Sequence, residues 1–334
     1  MAGAIAFVGL AAPHVARRLG GRVLTVAVVG AIALAGADSL AQLAGQLLDG
    51  THRLGIPTGV ITALAERRRP HQTGKVTMSV KVEDLHFSYT TRPVLTGIDL
   101  TVEPGEFVAL VGVNGCGKST LLRLIAGLLR PSSGRILLGG AELTSLSRRQ
   151  VARRLAVLHQ SLPPVPAMTV RQLVRQGRYP HQGPFGLLRE SDSMDEALEL
   201  AGVAHLADRV LDTLSGGERQ RVRLALAVAQ NTRILLLDEP TAHLDIRHQL
   251  EVLELVRALR EIRGLTVVTV LHELDHAARF AERIVALHEG RVWADGAPKH
   301  VITPELLADV FGVAGRVVTD ELHGSPRCLL DAAL

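Results

Sequence analysis

The chain has 334 residues, of which 47% are apolar and 3% aromatic, so it can form one large domain or two smaller ones around an aliphatic core. Residues 1–77 hold eight basic and three acidic residues, whereas the rest of the chain has a net charge of −1. The total of +4 is therefore no argument for nucleic-acid binding by the main domain. The two cysteines exclude a disulfide framework and favour a reducing compartment.

Three zones follow one another along the chain. Residues 1–64, called the leader below, are aliphatic and rich in glycine and alanine. Residues 65–77 are polar and basic and are interrupted by Pro70 and Gly74, which predicts a linker. From Met78 onward, β-branched apolar runs alternate with helical patterns, which predicts an α/β domain.

Three runs in this domain, residues 106–112, 233–239 and 266–272, are apolar almost throughout and end in glycine or polar residues. Such strands are typical of a parallel sheet that helices cover on both faces. Ligands bind at the carboxyl ends of strands in open parallel sheets, so the site is expected where these runs end.

The first of these runs leads into a phosphate-loop motif at residues 112–119, Gly-Val-Asn-Gly-Cys-Gly-Lys-Ser. A helical pattern over residues 120–127 follows, which is the context that the motif requires. Glycines let backbone N–H groups approach phosphate oxygens, and the helix N-terminus adds a favourable partial charge. Lys118 is predicted to bind the β- and γ-phosphates and Ser119 to bind Mg²⁺. The weaker alternative is a glycine-rich turn without a ligand.

An acidic pair, Asp238 and Glu239, closes the second run. A carboxylate beside the phosphate loop can hold Mg²⁺, and the adjacent Glu239 can orient the attacking water or accept its proton. The alternative is a solvated acidic pair before a proline turn.

A second anion site is predicted at residues 214–221, Leu-Ser-Gly-Gly-Glu-Arg-Gln-Arg. Ser215 suits a helix N-cap, and Gly216 and Gly217 leave the helix N-terminus open to an anion. Since one nucleotide does not need two phosphate sites from one chain, this motif predicts that two chains face each other.

The order of these motifs, ending with a strand that reaches His272, resembles the nucleotide-binding domain of ABC ATPases. The resemblance covers residues 78–320 and implies a P-loop NTPase α/β fold with an antiparallel β subdomain and a helical insert at about 161–215. Residues 321–334 are then a C-terminal tail. The resemblance also implies ATP and Mg²⁺ as cofactors and a homodimer of ATPase domains. The dimer would lie on the cytoplasmic face of the membrane against integral permease subunits, with a substrate-binding protein as an indirect partner and no nucleic acid.

The family also implies roles for matching positions. Its catalytic residues match Glu239, His272 and Gln160. Its magnesium ligands match Ser119, Gln160 and Asp238. Its nucleotide contacts, which include the adenine-stacking aromatic and the loop facing the partner chain, match Tyr89, Gly112, Asn114, Gly115, Cys116, Gly117, Lys118, Ser119, Thr120, Ser215, Gly216, Gly217 and Asp245. Taken singly, Tyr89 could be an ordinary strand tyrosine and His272 a structural histidine.

Two further regions of the chain, one in the helical insert and one near the C-terminus, indicate the subfamily. The first region is residues 176–183, Gln-Gly-Arg-Tyr-Pro-His-Gln-Gly, and the second comprises residues 303–312 and 317–320. Both resemble the matching parts of ATPases of siderophore, haem and cobalamin importers. The expected function is ATP-driven import of iron–siderophore complexes. One alternative is the same role in the import of haem, cobalamin or metal ions. The others are a soluble non-transport ABC ATPase and a damaged product that binds ATP without assembling.

The leader resembles part of the permease of the same importers. Residues 3–17 resemble its cytoplasmic coupling segment, residues 23–48 a following membrane helix, and residues 54–64 the start of its last helix. A permease fragment joined to the ATPase is therefore expected, through a genuine fusion, a frameshift or a misassigned start. Residues 23–37 form an uncharged run shorter than the roughly 20 residues that span a bilayer, so membrane insertion and packing on protein are equally open.

Overall fold

The computed structural model describes residues 78–160, 168–182 and 193–334. The leader, the linker and part of the helical insert lie outside the described residues, and so do the expectations that rest on them. The strands are β1 Val80–Ser88, β2 Pro93–Val102, β3 Phe107–Val111, β4 Ser133–Leu138, β5 Ala141–Glu142, β6 Leu155–Leu158, β7 Ile234–Asp238, β8 Thr266–Val270, β9 Arg283–His288, β10 Arg291–Gly296, β11 Val313–Thr319 and β12 Pro326–Ala333. The helices are α1 Lys118–Ile125, α2 Arg148–Ala152, α3 Val170–Gln176, α4 Ser193–Leu200, α5 Gly216–Ala229, α6 Ile246–Arg263, α7 Leu274–Phe280, α8 Pro298–Val301 and α9 Pro304–Asp309.

A six-stranded sheet in the order β10-β9-β3-β8-β7-β6 forms the centre of the domain. All its neighbouring pairs are parallel except β9 with β10. Every residue of β3, β7 and β8 is buried, as their continuous apolar character predicts. Because these strands are parallel, their carboxyl ends share one edge, where Gly112, Glu239 and His272 follow.

The antiparallel subdomain is a four-stranded sheet in the order β2-β1-β4-β5. Its inward side chains, among them Leu85, Ile98 and Leu138, form one apolar core with α1 and the adjoining face of the central sheet. The prediction of this subdomain is confirmed, and the sheet extends to Glu142. It brings β1, and with it Tyr89, toward the phosphate loop.

The described part of the helical insert packs on α5, which both α3 and α4 contact. Residues 176–182, the described part of the stretch that resembles the importer ATPases, account for part of this attachment. Arg178 donates to the carbonyl oxygen of Ala229 at 3.1 Å, and His181 Nε2 lies 2.8 Å from the carbonyl oxygen of Gln230. The stretch therefore joins the insert to the C-terminal end of α5.

The C-terminal residues are folded, and the boundary expected at residue 320 falls inside a β-hairpin. Strands β11 and β12 pair antiparallel from Val313 with Ala333 to Thr319 with Pro326. The turn is closed by Asp320 N–H donating to Ser325 O at 2.8 Å and Gly324 N–H donating to Asp320 O at 2.7 Å. In the described ranges, no helix is both long enough and apolar enough to cross a membrane.

Candidate nucleotide site

The phosphate loop joins β3 to α1 through three glycines with positive φ, namely Gly112 at 141°, Gly115 at 81° and Gly117 at 109°. A β-carbon at Gly112 would overlap the carbonyl oxygen of Leu287 on the neighbouring strand β9. Glycine is therefore required where the chain turns this close to the sheet. The predicted helix after the loop is confirmed, and it begins at Lys118.

The Lys118 ammonium lies inside this loop and is only 5% exposed. Its Nζ donates to the carbonyl oxygens of Gly112 at 2.7 Å and of Val113 at 2.8 Å. An ammonium carries three donors, so these bonds fix its position, and the third donor, which makes only a long 3.9 Å contact with Cys116 Sγ, can turn to a phosphate oxygen. Asn114 forms part of the exposed tip of the loop, whereas Cys116 is buried beneath it.

Asp238 ends β7 and is 2% exposed. Ser119 Oγ donates to its Oδ1 at 2.7 Å, and an Arg123 nitrogen lies 4.0 Å from its Oδ2. A buried carboxylate needs such partners. A hydroxyl and a carboxylate are oxygen ligands that suit Mg²⁺, which commonly takes one or two protein ligands together with substrate phosphates. The pair therefore fits a magnesium site.

The Glu239 carboxylate is held at both oxygens by side chains from neighbouring strand ends. Gln160 Nε2 donates to Oε2 at 2.6 Å, and His272 Nε2 lies 2.8 Å from Oε1. Glu239 also has a φ of 51°, which is uncommon for a residue other than glycine. Such backbone conformations cluster at functional sites, where the surrounding contacts maintain them.

Tyr89 lies at the rim of the phosphate loop. Its hydroxyl is 3.3 Å from Thr120 Oγ1, and its ring packs edge-to-face on Phe87 with the centroids 4.8 Å apart. The residue is nevertheless 55% exposed. A tyrosine that is anchored at its hydroxyl and open on its ring can stack against a planar ligand.

Ser215 caps α5 in a reciprocal capping box. Its side chain accepts from Glu218 N–H at 3.3 Å, and its own N–H donates to Glu218 Oε2 at 2.8 Å. This backbone donor is the main cause that lowers the pKa of Glu218 below its usual value. The predicted N-cap is confirmed.

The helix start that Ser215 caps lies against the segment that carries Asp245. A β-carbon at Gly217 would overlap the His248 ring, so the glycine allows a close approach. Asp245 caps α6, accepting from His248 N–H at 2.9 Å, and its Oδ2 is 2.8 Å from His248 Nδ1. The backbone donor is the largest cause that lowers the pKa of Asp245.

The predicted site residues thus form two groups. The first group surrounds the phosphate loop and adds Tyr89, Gln160, Asp238, Glu239 and His272 to it. The second group consists of Ser215, Gly216, Gly217 and Asp245. Within the described part of the chain, no hydrogen bond or ion pair joins residues 215–217 or Asp245 to the phosphate loop.

Comparison with known proteins identifies the family. A family model described as ABC transporter matches residues 95–242. The ferric enterobactin transport ATP-binding protein FepC of Escherichia coli (strain K12) is 42% identical over 246 residues, which is 73% of this chain and 91% of FepC. This chain belongs to the ABC transporter ATP-binding proteins.

Two solved structures support the same fold. One chain of an inward-facing ABC transporter assigned to the metal-chelate type aligns with a TM-score of 0.67 at 27% identity, covering 76% of this chain and 98% of that one. The dimeric bacterial ABC transporter cassette MJ0796 aligns with a TM-score of 0.58 at 28% identity, covering 65% and 98%. The protein is an ABC-type ATPase with a P-loop NTPase fold.

Sequence reasoning missed two residues of this ABC ATPase that connect the groups. Gln220 donates to Pro240 O at 2.6 Å, and Arg223 donates to Gln160 O at 3.3 Å and to Gln220 Oε1 at 3.4 Å. Burial lowers the pKa of Arg223. A signal for Gln220 was available, because it lies three residues after Gly217 and four before Leu224 and so shares the buried face of α5.

The contact between Gly217 and His248 yields a stability prediction. Gly217→Ala should lower the free energy of unfolding by about 1–3 kcal/mol, since the added methyl group forces the ring or the backbone to move. Gly216→Ala is the matched control, because its β-carbon would meet Leu244 at an ordinary 3.6 Å. Urea unfolding measures both variants. Adding His248→Ala should restore most of the loss, and equal losses in both glycine variants would contradict the packing.

Proposed function

We propose that this ATPase powers import of an iron–siderophore complex, with two chains enclosing two ATP molecules. The observation that carries the proposed chemistry is the Glu239 carboxylate, which Gln160 and His272 hold at opposite oxygens beside the phosphate loop. Each ATP would lie between the phosphate loop of one chain and the Ser215 region of the other.

The first group binds the nucleotide in this proposal. Backbone N–H groups of the loop and the Lys118 ammonium neutralise the β- and γ-phosphates, while the open face of Tyr89 stacks on adenine. Ser119 and Asp238 would hold Mg²⁺, with Gln160 as a further oxygen ligand. When bound, Mg²⁺ offsets the charge of the phosphate oxygens.

Hydrolysis depends on how Glu239 is held. Its carboxylate accepts the proton of the attacking water, and its fixed position orients that water toward the γ-phosphate. Gln160 and His272 keep the carboxylate in place, and His272 also faces the developing charge on the γ-phosphate. Positioning of this kind supplies most of the catalysis in phosphoryl transfer.

Glu239→Gln should keep ATP binding and lower the hydrolysis rate by about 10²–10⁴-fold, because the amide cannot accept the proton. Lys118→Ala should instead weaken nucleotide binding itself. Glu261→Gln, at an exposed glutamate on α6, is the control and should hydrolyse ATP at the wild-type rate. Phosphate release and fluorescent-nucleotide titration measure the two quantities. A wild-type rate for Glu239→Gln would exclude it as the catalytic carboxylate.

The same variants report on pairing of the chains. Because Glu239→Gln would bind ATP without consuming it, size-exclusion chromatography with light scattering should show a dimer in ATP. Lys118→Ala should remain at the mass seen without nucleotide. The dimeric cassette to which this chain is similar and the separate second group of site residues support this arrangement.

The permease is proposed to contact a cleft next to Gln160. This cleft has a volume of about 250 Å³ and is lined in part by His159, Gln176, Tyr179 and Arg223. Tyr179 is 61% exposed there, and Arg223 donates to the carbonyl oxygen of Gln160. Pressure on this surface would therefore reach the residue that holds Glu239, as coupling between transport and hydrolysis requires.

Iron–siderophore import is proposed from the similarity to FepC and to the metal-chelate type transporter, together with the stretch at 176–183. Cells that carry only Lys118→Ala should lose uptake of radioactive iron presented as ferric enterobactin or as a ferric hydroxamate. They should keep uptake of haem and cobalamin, and cells with Glu261→Gln should match wild type in every assay. Loss of haem or cobalamin uptake with iron uptake intact would assign a different cargo.

A further inference from the structure

The C-terminal hairpin lies against α7, the helix that follows His272. Strand β12 contacts this helix directly. Cys328 N–H donates to Asp275 Oδ1 at 2.9 Å, and Arg327 Nε lies 3.6 Å from Asp275 Oδ2. Asp275 is thus held at both carboxylate oxygens by consecutive residues of β12.

Asp275 lies in the first turn of α7, three residues after His272. The N-cap of this helix, Glu273, makes no side-chain capping bond. Over the described ranges, the bonds from Cys328 and Arg327 are the side-chain polar links between this first turn and another element. The end of the helix is held separately, because Phe280 is buried and the guanidinium group of Arg257 on α6 lies 5.3 Å from the centre of its ring.

A cavity of about 540 Å³ adjoins this contact. It is lined on one side by His272 and the α7 residues Asp275 and His276, and on the other by Phe311 and the hairpin residues Val313 and Cys328. The start of α7 is therefore not packed tightly against the hairpin over this space, so the bonds of Asp275 restrain it where dense packing does not.

We propose that Asp275 is a positioning residue for ATP hydrolysis, through which β12 fixes the start of α7 and hence the distance from His272 to Glu239. The inference rests on the proposed role of His272. The Cys328 hydrogen bond carries the effect, because the ion pair with Arg327 is exposed and contributes little. The hairpin is then part of the catalytic framework, although it contacts no nucleotide.

Asp275→Ala should lower kcat on the order of tenfold, since small displacements of a catalytic group cost large factors in rate, while the KM for ATP and nucleotide binding stay unchanged. Asp275→Asn keeps the acceptor oxygen and should retain most of the rate. Cys328→Pro removes the donor instead and should reproduce the alanine variant. Asp331→Ala is the matched control, since this aspartate on β12 pairs only with the exposed Arg316 among the described residues.

The decisive comparison uses a His272→Ala background. If Asp275 acts through His272, adding Asp275→Ala there should cause no further loss of kcat. A further tenfold loss, an equal loss in Asp331→Ala, or a rise in KM with kcat unchanged would each overturn the proposal. A wild-type rate for His272→Ala alone would instead refute the proposed role of His272, which separates the two failures.

Discussion

The contacts of Gln160 and His272 with the two oxygens of the Glu239 carboxylate are the constraint on which the site depends. These residues follow β6, β8 and β7, and β7 lies between the other two strands in the sheet. Because all three strands are parallel and nearly in register, their ends meet at one edge. The sheet thereby sets the separation of three side chains that are far apart in the sequence. A backbone with φ of 51° costs about 1–3 kcal/mol, which these bonds help to offset.

Further contacts of the same residues connect the two groups of site residues. The side chain of Gln160 holds Glu239, and its carbonyl oxygen accepts from Arg223 on α5. Gln220, on the same helix, donates to the carbonyl oxygen of Pro240, the residue after Glu239. Helix α5 therefore contacts the backbone of both Gln160 and Pro240, next to the Glu239 carboxylate, and Ser215 caps the N-terminus of the same helix. A shift of this helix would therefore move the start of α5 at Ser215 together with the residues that hold Glu239 in place.

The sequence predicted the parts that have local signatures. Buried parallel strands are continuous apolar runs, and the phosphate loop is a compact motif with its own turn chemistry, so both were correctly located. The roles of Gln160 and His272 beside Glu239 were predicted only from the family resemblance, because these residues are up to 112 positions apart in the chain. The packing of Gly217 on His248 and the bond from Cys328 to Asp275 have no local pattern. Residues 321–334, which include β12, were taken for a tail because this strand is largely exposed and lacks a clear buried face.

Single-turnover ATP hydrolysis, measured for a set of combined variants, tests most directly whether Gln160 and His272 act by holding the Glu239 carboxylate. Gln160→Ala and His272→Ala are introduced separately, first in the wild-type chain and then in Glu239→Gln. Each change should slow hydrolysis in the wild-type chain, because each releases one carboxylate oxygen. In Glu239→Gln each should slow it much less, since only the proposed contacts of Gln160 with Mg²⁺ and of His272 with the γ-phosphate remain to be lost. Full and additive losses in both backgrounds would show that Gln160 and His272 act independently of Glu239.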